Sequence, residues 1–471
     1  MKSRSLFPAH VGLIHFVGIG GIGMSAIAEI LRGMGYQVRG SDQHSNANVK
    51  RLIDKGVGVY IGHDKAHVEG AGVVVLSSAI KPDNPEWMAA RDLDIPVVHR
   101  SEMLAELMRL HHGIAIAGTH GKTTTTAMVC HLLESGDVNP TLINGGVVTH
   151  LGSNARIGES DWMVVEADES DGTFTRLRPT IGIITNMEPE HMNHFKEEAA
   201  LYKAFRTFAQ NIPFYGLDIL CLDDDNVREL AQRITNRRVR TYGFAKDADV
   251  VITKVQQHGL NTSFELQADG EDLGTFMLSA PGKHNVLNAT AALMAGREVG
   301  VDWPVLKKAL AHFKGVGRRF TLIGKKDGAT FIDDYAHHPT EITATLSAAR
   351  QAFHGKIYAV VQPHRYSRLQ AHFDDFASSL QLADHVLVCP VYAAGEVPTL
   401  DTSGVAIDHH SLAQKINQTA QSKAVVAEHE KDITKLLRAS IKNTDGVVFM
   451  GAGSISQMAY DVAKDLDVEM S

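Results

Sequence analysis

Three glycine-rich turns set the frame of this chain, near Gly18, Gly118 and Gly451. Each follows a short apolar run and opens a helical stretch. Leu13-Ile14-His15-Phe16-Val17, Val73 to Leu76, Ile114 to Ala117, Met163 to Ala167 and Ile181 to Thr185 read as buried strands. Lys356 to Val361, His385 to Val388 and Val447 to Met450 continue the series. Apolar strands alternating with helices imply parallel sheets covered on both faces. Residues 235–280 instead alternate apolar and polar side chains around turn signals such as Asp269-Gly270, and read as an antiparallel insert. With 471 residues and ~100–200 per domain, two to four domains are allowed. The turns select three: 1–108, 109–318 and 319–471. The expected fold is α/β, with a Rossmann-like first domain and a central parallel sheet of the P-loop ATPase kind that carries the insert.

Composition narrows the function class. At 44% hydrophobic and 21% charged, the chain is neither disordered nor fibrous. A net charge of −8 disfavours nonspecific binding to nucleic acid or anionic membrane. Cys130, Cys221 and Cys389 form no CxxC pair, so neither a disulfide framework nor a thiolate zinc cluster is expected. Lys2 and Arg4 precede a mostly apolar stretch, Val11 to Leu31, that resembles an export signal. That stretch holds His15, Glu29 and five glycines, so a strand, turn and helix explain it better. No segment approaches ~18 uninterrupted apolar residues, and a cytoplasmic location without membrane insertion is expected.

Gly18-Ile19-Gly20-Gly21-Ile22-Gly23 satisfies G-x-G-x-x-G between strand and helix. Its glycines permit a tight turn, and a pyrophosphate fits against the free N–H groups of the helix start. Asp42, at the end of the next strand, is placed for a ribose. A dehydrogenase using NAD is the first reading of that turn. Gly118-Thr119-His120-Gly121-Lys122-Thr123-Thr124 argues against it. This is a phosphate loop with two residues between its glycines instead of four. Backbone N–H groups ring the phosphates, Lys122 supplies charge to the β/γ oxygens, and the Thr123 hydroxyl suits Mg²⁺. ATP is therefore the expected driver. Glu166-Ala167-Asp168-Glu169-Ser170 closes another strand. Glu166 is placed to hold a metal, whereas Asp168 and Glu169 read as a solvated loop. His191, after Thr185-Asn186-Met187-Glu188-Pro189-Glu190, stands at the same sheet edge and is a candidate for a second metal.

These segments, with Pro281-Gly282-Lys283-His284-Asn285-Val286-Leu287-Asn288, resemble the Mur ligases of peptidoglycan synthesis. The Gly18 turn, Asp333-Asp334-Tyr335-Ala336-His337-His338-Pro339, Gln362-Pro363-His364-Arg365-Tyr366-Ser367-Arg368 and Tyr392-Ala393-Ala394-Gly395-Glu396 are similar to the branch that adds alanine. The resemblance implies a Rossmann-like third domain for the amino acid, ATP in the second and a UDP sugar, not NAD, on the first turn. There Gly18, Gly20, Gly21, Ile22, Gly23, Asp42 and Arg318 would hold the sugar nucleotide. ATP would phosphorylate the lactyl carboxylate of UDP-N-acetylmuramate, and the amine of L-alanine would attack the acyl phosphate. The residues implied for ATP are Gly118 to Thr124, His284, Asn285, Asn288, Arg319 and Asp333. Thr123, Glu166 and His191 would hold Mg²⁺. Tyr335, His337, His364, Arg365 and Arg368 would form the alanine pocket, and Lys122, Glu166, His191, His337 and Arg365 would carry the chemistry.

Some relatives place a carbamylated lysine four residues after a tyrosine; counted from Tyr202 that position is Arg206, so no carbamate is expected. Asn193 and Ser454 stand where aspartates are usual in the family. The nearest alternatives are the family's murein-tripeptide ligase of cell-wall recycling and, from another class, the NAD-dependent dehydrogenase.

Overall fold

The first glycine turn closes a five-stranded sheet in this computed structural model, which describes residues 11–400, 404, 406–418 and 422–470. Lys2 and Arg4 lie outside the described residues, as does the Asn193 side chain. The strand order is Gly58–Ile61, Gln37–Asp42, Leu13–Val17, Ala71–Leu76, Val97–His99, and every pairing is parallel. Connections reverse direction between Leu13–Val17 and Ala71–Leu76, and Gly18 sits at that switch point, where doubly wound sheets bind ligands. A Cβ on Gly40 would stand 2.5 Å from the Phe16 carbonyl oxygen, so only glycine lets the two strands lie so close. The helix Ile22–Gly33 is buried without interruption from Met24 to Leu31. Its one buried charge, Glu29, is met by Arg51 at 3.2 Å and by Lys55.

Ten strands form the second sheet. His112–Ala117 lies between Ile181–Ile184 and Trp162–Glu166, parallel to both, so the carboxyl ends of all three open on one edge. Leu217–Cys221 and Val239–Gly243 extend it on one side, and Thr141–Val148 and Ser153–Arg156 on the other. The insert expected over 235–280 starts later than its alternation suggested. Val239–Gly243 pairs parallel with Leu217–Cys221, and Val250–Val251 pairs parallel with Tyr242–Gly243. Hairpins begin only after that, joining Val250–His258, Asn261–Ala268 and Glu271–Leu278 by two-residue turns. Asp269 (φ 54°) and Gly270 (φ 81°) are both left-handed, as a tight hairpin turn needs.

In the third sheet, Lys423–Val426, His385–Val388, Ile357–Val361, Gly446–Met450 and Ala329–Asp334 are parallel neighbours in that order. Thr321–Lys326 and Glu469–Met470 add an antiparallel edge. Alternate residues enter different cores. Ile332, Ala359, Val361 and Val448 pack on one face, and Phe331, Tyr358, Val360 and Phe449 on the other. This two-sided burial is what the unbroken apolar runs required.

The chain divides into two compact units. One holds residues 1–253, 265–274 and 287–314, with the first sheet and most of the second; the other holds 254–264, 275–286 and 315–471.

One core residue is out of keeping with its strand. Asp218 is 0% exposed and both carboxylate oxygens lack a hydrogen-bond partner. Burial pushes its pKa up to about 8, with Arg237 opposing. The unfolded chain therefore ionises near pH 4 while the folded chain stays protonated, and stability drains away between about pH 4 and pH 8. Asp218→Asn is expected to match wild type near pH 4 and exceed it by on the order of 4 kcal/mol at pH 7, measured by denaturant unfolding.

Candidate active site

The second glycine turn links His112–Ala117 to the helix Lys122–Ser135. Gly118 (φ 134°) and Gly121 (φ 85°) hold backbone conformations that favour glycine. Space is short as well. A Cβ on Gly118 would stand 2.1 Å from Thr185 Oγ1, and one on Gly121 would stand 2.4 Å from Asn288 Oδ1. The end of the neighbouring strand straps the loop. His120 N donates to Asn186 Oδ1 at 2.7 Å, Thr185 Oγ1 donates to His120 O at 2.6 Å, and Thr119 N donates to Asn186 O at 3.2 Å. Thr119 Oγ1 also accepts from Glu188 N at 2.9 Å.

Lys122 curls back over its own loop. Its Nζ donates to Gly118 O at 2.5 Å, Thr119 O at 3.1 Å and Glu169 Oε1 at 2.8 Å. Burial opposes its charge, but Glu169, Glu166 and Asp168 outweigh burial and raise its pKa. Glu169 is 1% exposed, which corrects its reading as a solvated loop residue: the strand end turns it inward onto Lys122. Asp168 is also engaged, 2.8 Å from Arg100, which opens the helix after the first sheet. Burial disfavours its ionisation, yet Arg100 and Lys122 hold its carboxyl at about 2. Arg100 and its companions Ser78 and Asp171 escaped the sequence reading, since nothing in a lone Arg100 points to an acid 68 residues away.

Glu166 and Thr123 meet beside the loop. The Glu166 Oε2 atom accepts from Gly145 N at 2.8 Å, and its carboxyl also takes a hydrogen bond from Thr123. Burial raises its pKa in spite of Lys122, Thr123 and Gly145. A buried hydroxyl and a half-buried carboxylate are hard oxygen donors of the kind Mg²⁺ takes, so these two residues fit a divalent cation. His191 (φ 58°) turns its Nε2 to within 3.6 Å of Glu169 and 3.9 Å of Glu190. Burial lowers its pKa, but the two carboxylates prevail and raise it. Lys122, Glu169 and His191 thus form one chain of charges over the phosphate loop. Thr124, buried in the first helical turn, is part of the packing beneath.

At the first turn, Gly18 is left-handed (φ 80°). Asp42 is not aimed at open space: its Oδ2 accepts from Gly20 N at 2.8 Å and its Oδ1 from His44 N at 3.2 Å. The amides of Asn46 and Asn48 both donate to Gly20 O. Gly21 caps the helix, Ile22 is 40% exposed at the turn, and a Cβ on Gly23 would stand 3.0 Å from Arg100.

In the other unit, a cluster forms from two strand ends. His337 stacks edge-on with Tyr335 (5.1 Å) and His364 (5.9 Å), and its Nδ1 faces Tyr335 O at 2.9 Å. His364 lies flat on Tyr392 and 3.4 Å from Arg368. Burial, then His337 and the arginines, hold His364 down at about 4, so it is neutral at physiological pH. Arg365, with φ 70°, lies 3.2 Å from Glu396. The guanidinium groups of Arg318 and Arg319 stand 4.8 and 5.0 Å from the centre of the Tyr335 ring. Arg318 also donates to Gly451 O at 2.8 Å, tying it to the third glycine turn. Asp333 is buried and accepts from Ser456 Oγ at 2.8 Å. Its neighbour Asp334 binds Phe320 N and Ala336 N, and burial lifts it to about 6. His284 is held at about 4 by burial and by Arg319. Asn285 donates to Pro281 O at 2.8 Å, which spends part of its amide on the helix start. Ser454, in place of an aspartate, bonds Gln362.

Comparison with known proteins matches residues 13–112 to the Mur ligase family catalytic domain, 116–296 to the Mur ligase middle domain, and 318–453 to the Mur ligase glutamate ligase domain. UDP-N-acetylmuramate–L-alanine ligases of Methylorubrum extorquens and Agrobacterium fabrum are each 48% identical over 465 residues, covering 98% of both chains. Among solved structures, the UDP-N-acetylmuramate-alanine ligase of Thermotoga maritima superposes with a TM-score of 0.82 at 28% identity, covering 96% of this chain and 99% of that one. A murein peptide ligase from Psychrobacter arcticus gives 0.69 at 25% identity, covering 98% and 100%.

The charge chain has a measurable consequence. Glu169→Gln removes the carboxylate that favours protonated His191, so the imidazole pKa is expected to fall in the metal-free protein. Histidine NMR titration of wild type and variant checks it; an unmoved His191 would mean the two do not interact.

Proposed function

The chain belongs to the Mur ligase family, and we propose that it joins L-alanine to the lactyl carboxylate of UDP-N-acetylmuramate, driven by ATP, through an acyl phosphate. The observation that carries this reading is the group formed by Lys122, Glu169 and His191 over the shortened phosphate loop, with Thr123 and Glu166 alongside. A dehydrogenase has no use for such a group. The similarity to alanine-adding relatives over nearly the whole chain favours alanine over a tripeptide.

We assign residues 1–108 to the sugar nucleotide, 109–318 to ATP and 319–471 to the amino acid. Lys122 keeps its proton, and its charge stabilises the β/γ oxygens as the phosphoryl group moves to the lactyl carboxylate. The loop amides orient the phosphates, held ready by the Asn186 strap. Thr123 and Glu166 would hold one Mg²⁺ and His191 a second; the ions supply the positive charge that lets two anions approach. His284, Asn285, Asn288, Arg319 and Asp333 are assigned to ATP, and Gly18, Gly20, Gly21, Ile22, Gly23, Asp42 and Arg318 to the sugar nucleotide.

For the amino acid, Arg365 and Arg368 offer charge to the carboxylate, a task that suits a guanidinium fork. His364 is neutral, and so suited to accept a proton or orient the amine. His337 turns Nδ1 to the Tyr335 carbonyl, which leaves Nε2 as its acceptor. Attack of the free amine on the acyl phosphate gives a tetrahedral intermediate that expels phosphate. Among the described residues no helix is long and apolar enough to cross a membrane, and the three cysteines are free. We assign the reaction to the cytoplasm, where ATP is supplied.

Phosphate release, measured with UDP-N-acetylmuramate against alanine, serine, glycine and the murein tripeptide, tests the reading. Alanine is expected to support turnover, and Lys122→Ala to lower it by about 10²–10³-fold. Turnover with the tripeptide alone, or full rate in the variant, would overturn it.

A further inference from the structure

The far end of the phosphate-loop helix carries a second cluster that the ligase reaction does not use. His131 and Glu134 stand three apart on Lys122–Ser135, so they share a face, and His150 comes up from the turn before Ser153–Arg156. One ring nitrogen of each histidine and one carboxylate oxygen of Glu134 all lie within 4.8 Å of one another. His131 is nine residues along the helix from Lys122, about 13 Å at ~1.5 Å per residue, so the cluster is separate from the nucleotide site.

We propose that His131, Glu134 and His150 form a three-ligand site for a divalent transition-metal ion of the Zn²⁺ class. The secondary contacts are those such a site needs. His131 turns Nε2 to the Ala309 carbonyl at 2.9 Å, which fixes the tautomer and leaves the Nδ1 lone pair free. Metal-binding histidines commonly anchor the other ring nitrogen in this way. Glu134 is oriented too. Its Oε1 takes Arg156 and the Cys130 thiol (3.2 Å), while its Oε2 faces His150 Nε2 at 3.1 Å. With metal bonds of about 2.0–2.1 Å, the edge of a tetrahedron is about 3.3 Å, close to that separation. Cys130 turns its thiol to Glu134 Oε1 and is not counted among the ligands. The charged groups facing the cluster are Glu134, Arg156 and His312. Arg156 is already committed to the oxygen that the metal does not need. Two imidazoles with a carboxylate suit zinc better than Mg²⁺, which prefers oxygen alone. A fourth position is left to water or to an incoming ligand. A bound ion would tie the helix to the 149–152 turn and, through Ala309, to the helix Trp303–Leu310.

The test uses the full chain, stripped with chelator and dialysed against micromolar Zn²⁺ with millimolar Mg²⁺ present throughout. Bound metal is then measured by plasma mass spectrometry. Wild type is expected to retain one equivalent of zinc more than His150→Gln, whose affinity at this site falls at least tenfold, and turnover of that variant with Mg²⁺ alone should stay within twofold. Co²⁺ substituted into wild type should give the visible absorption of a four-coordinate nitrogen and oxygen site, which reads the site even where a variant folds poorly. Equal zinc in wild type and His150→Gln, or a six-coordinate Co²⁺ spectrum, would overturn the proposal.

Discussion

The candidate site depends on one half-buried cation. Lys122 is drawn back over the loop it belongs to, neutralised by Glu169 and bonded to the carbonyls of Gly118 and Thr119. An ammonium removed from water is tolerated only where a counter-charge and oxygen acceptors meet it together. Those acceptors exist because parallel strands end on the same edge and deliver Gly118 and Glu169 from separate parts of the chain, with Asn186 of a third strand strapping the loop. The sheet therefore fixes the electrostatics, and the glycines make room for it. Without Glu169 the same lysine would lose its bonded counter-charge and keep only the through-space influence of Glu166 and Asp168.

That arrangement also joins the first two sheets. Asp168, one residue before Glu169, faces the other way and takes Arg100, while Asp171 collects Ser78 and His99. A single acidic turn thus serves the phosphate loop on one side and the elements at the end of the first sheet on the other. Its charges are arranged so that neighbouring cations keep Asp168 ionised down to about pH 2.

The fold was largely legible because buried parallel strands are written as unbroken apolar runs. His385–Val388 has the limits its residues suggest, and Ile357–Val361 and Gly446–Met450 differ from theirs by one residue at the start. Alternation was the weaker guide, and it blurred the parallel strand Val239–Gly243 into the hairpins that follow. The phosphate loop was legible because glycine, lysine and threonine are adjacent in sequence. What resisted were pairings over long separations: Arg100 with Asp168, Glu169 with Lys122, and Glu86 with His15, Ser41 and His67. Glu86 is 0% exposed, and its three partners hold it near about 2 against the opposing effect of burial. A glutamate on a short surface-like helix gives no hint of that until the strands are folded around it.

The bond from Gly20 N to Asp42 gives the first glycine turn a particular character. An amide that would otherwise wait for phosphate already has a tethered anion of its own. A ligand arriving there competes with a carboxylate on the same chain instead of with water. Occupancy then follows the difference between two anions, which disfavours small, singly anchored ones such as free phosphate. A larger ligand held at several points besides this amide can displace the carboxylate and keep its place. The turn is in effect a closed latch whose key must also fit elsewhere.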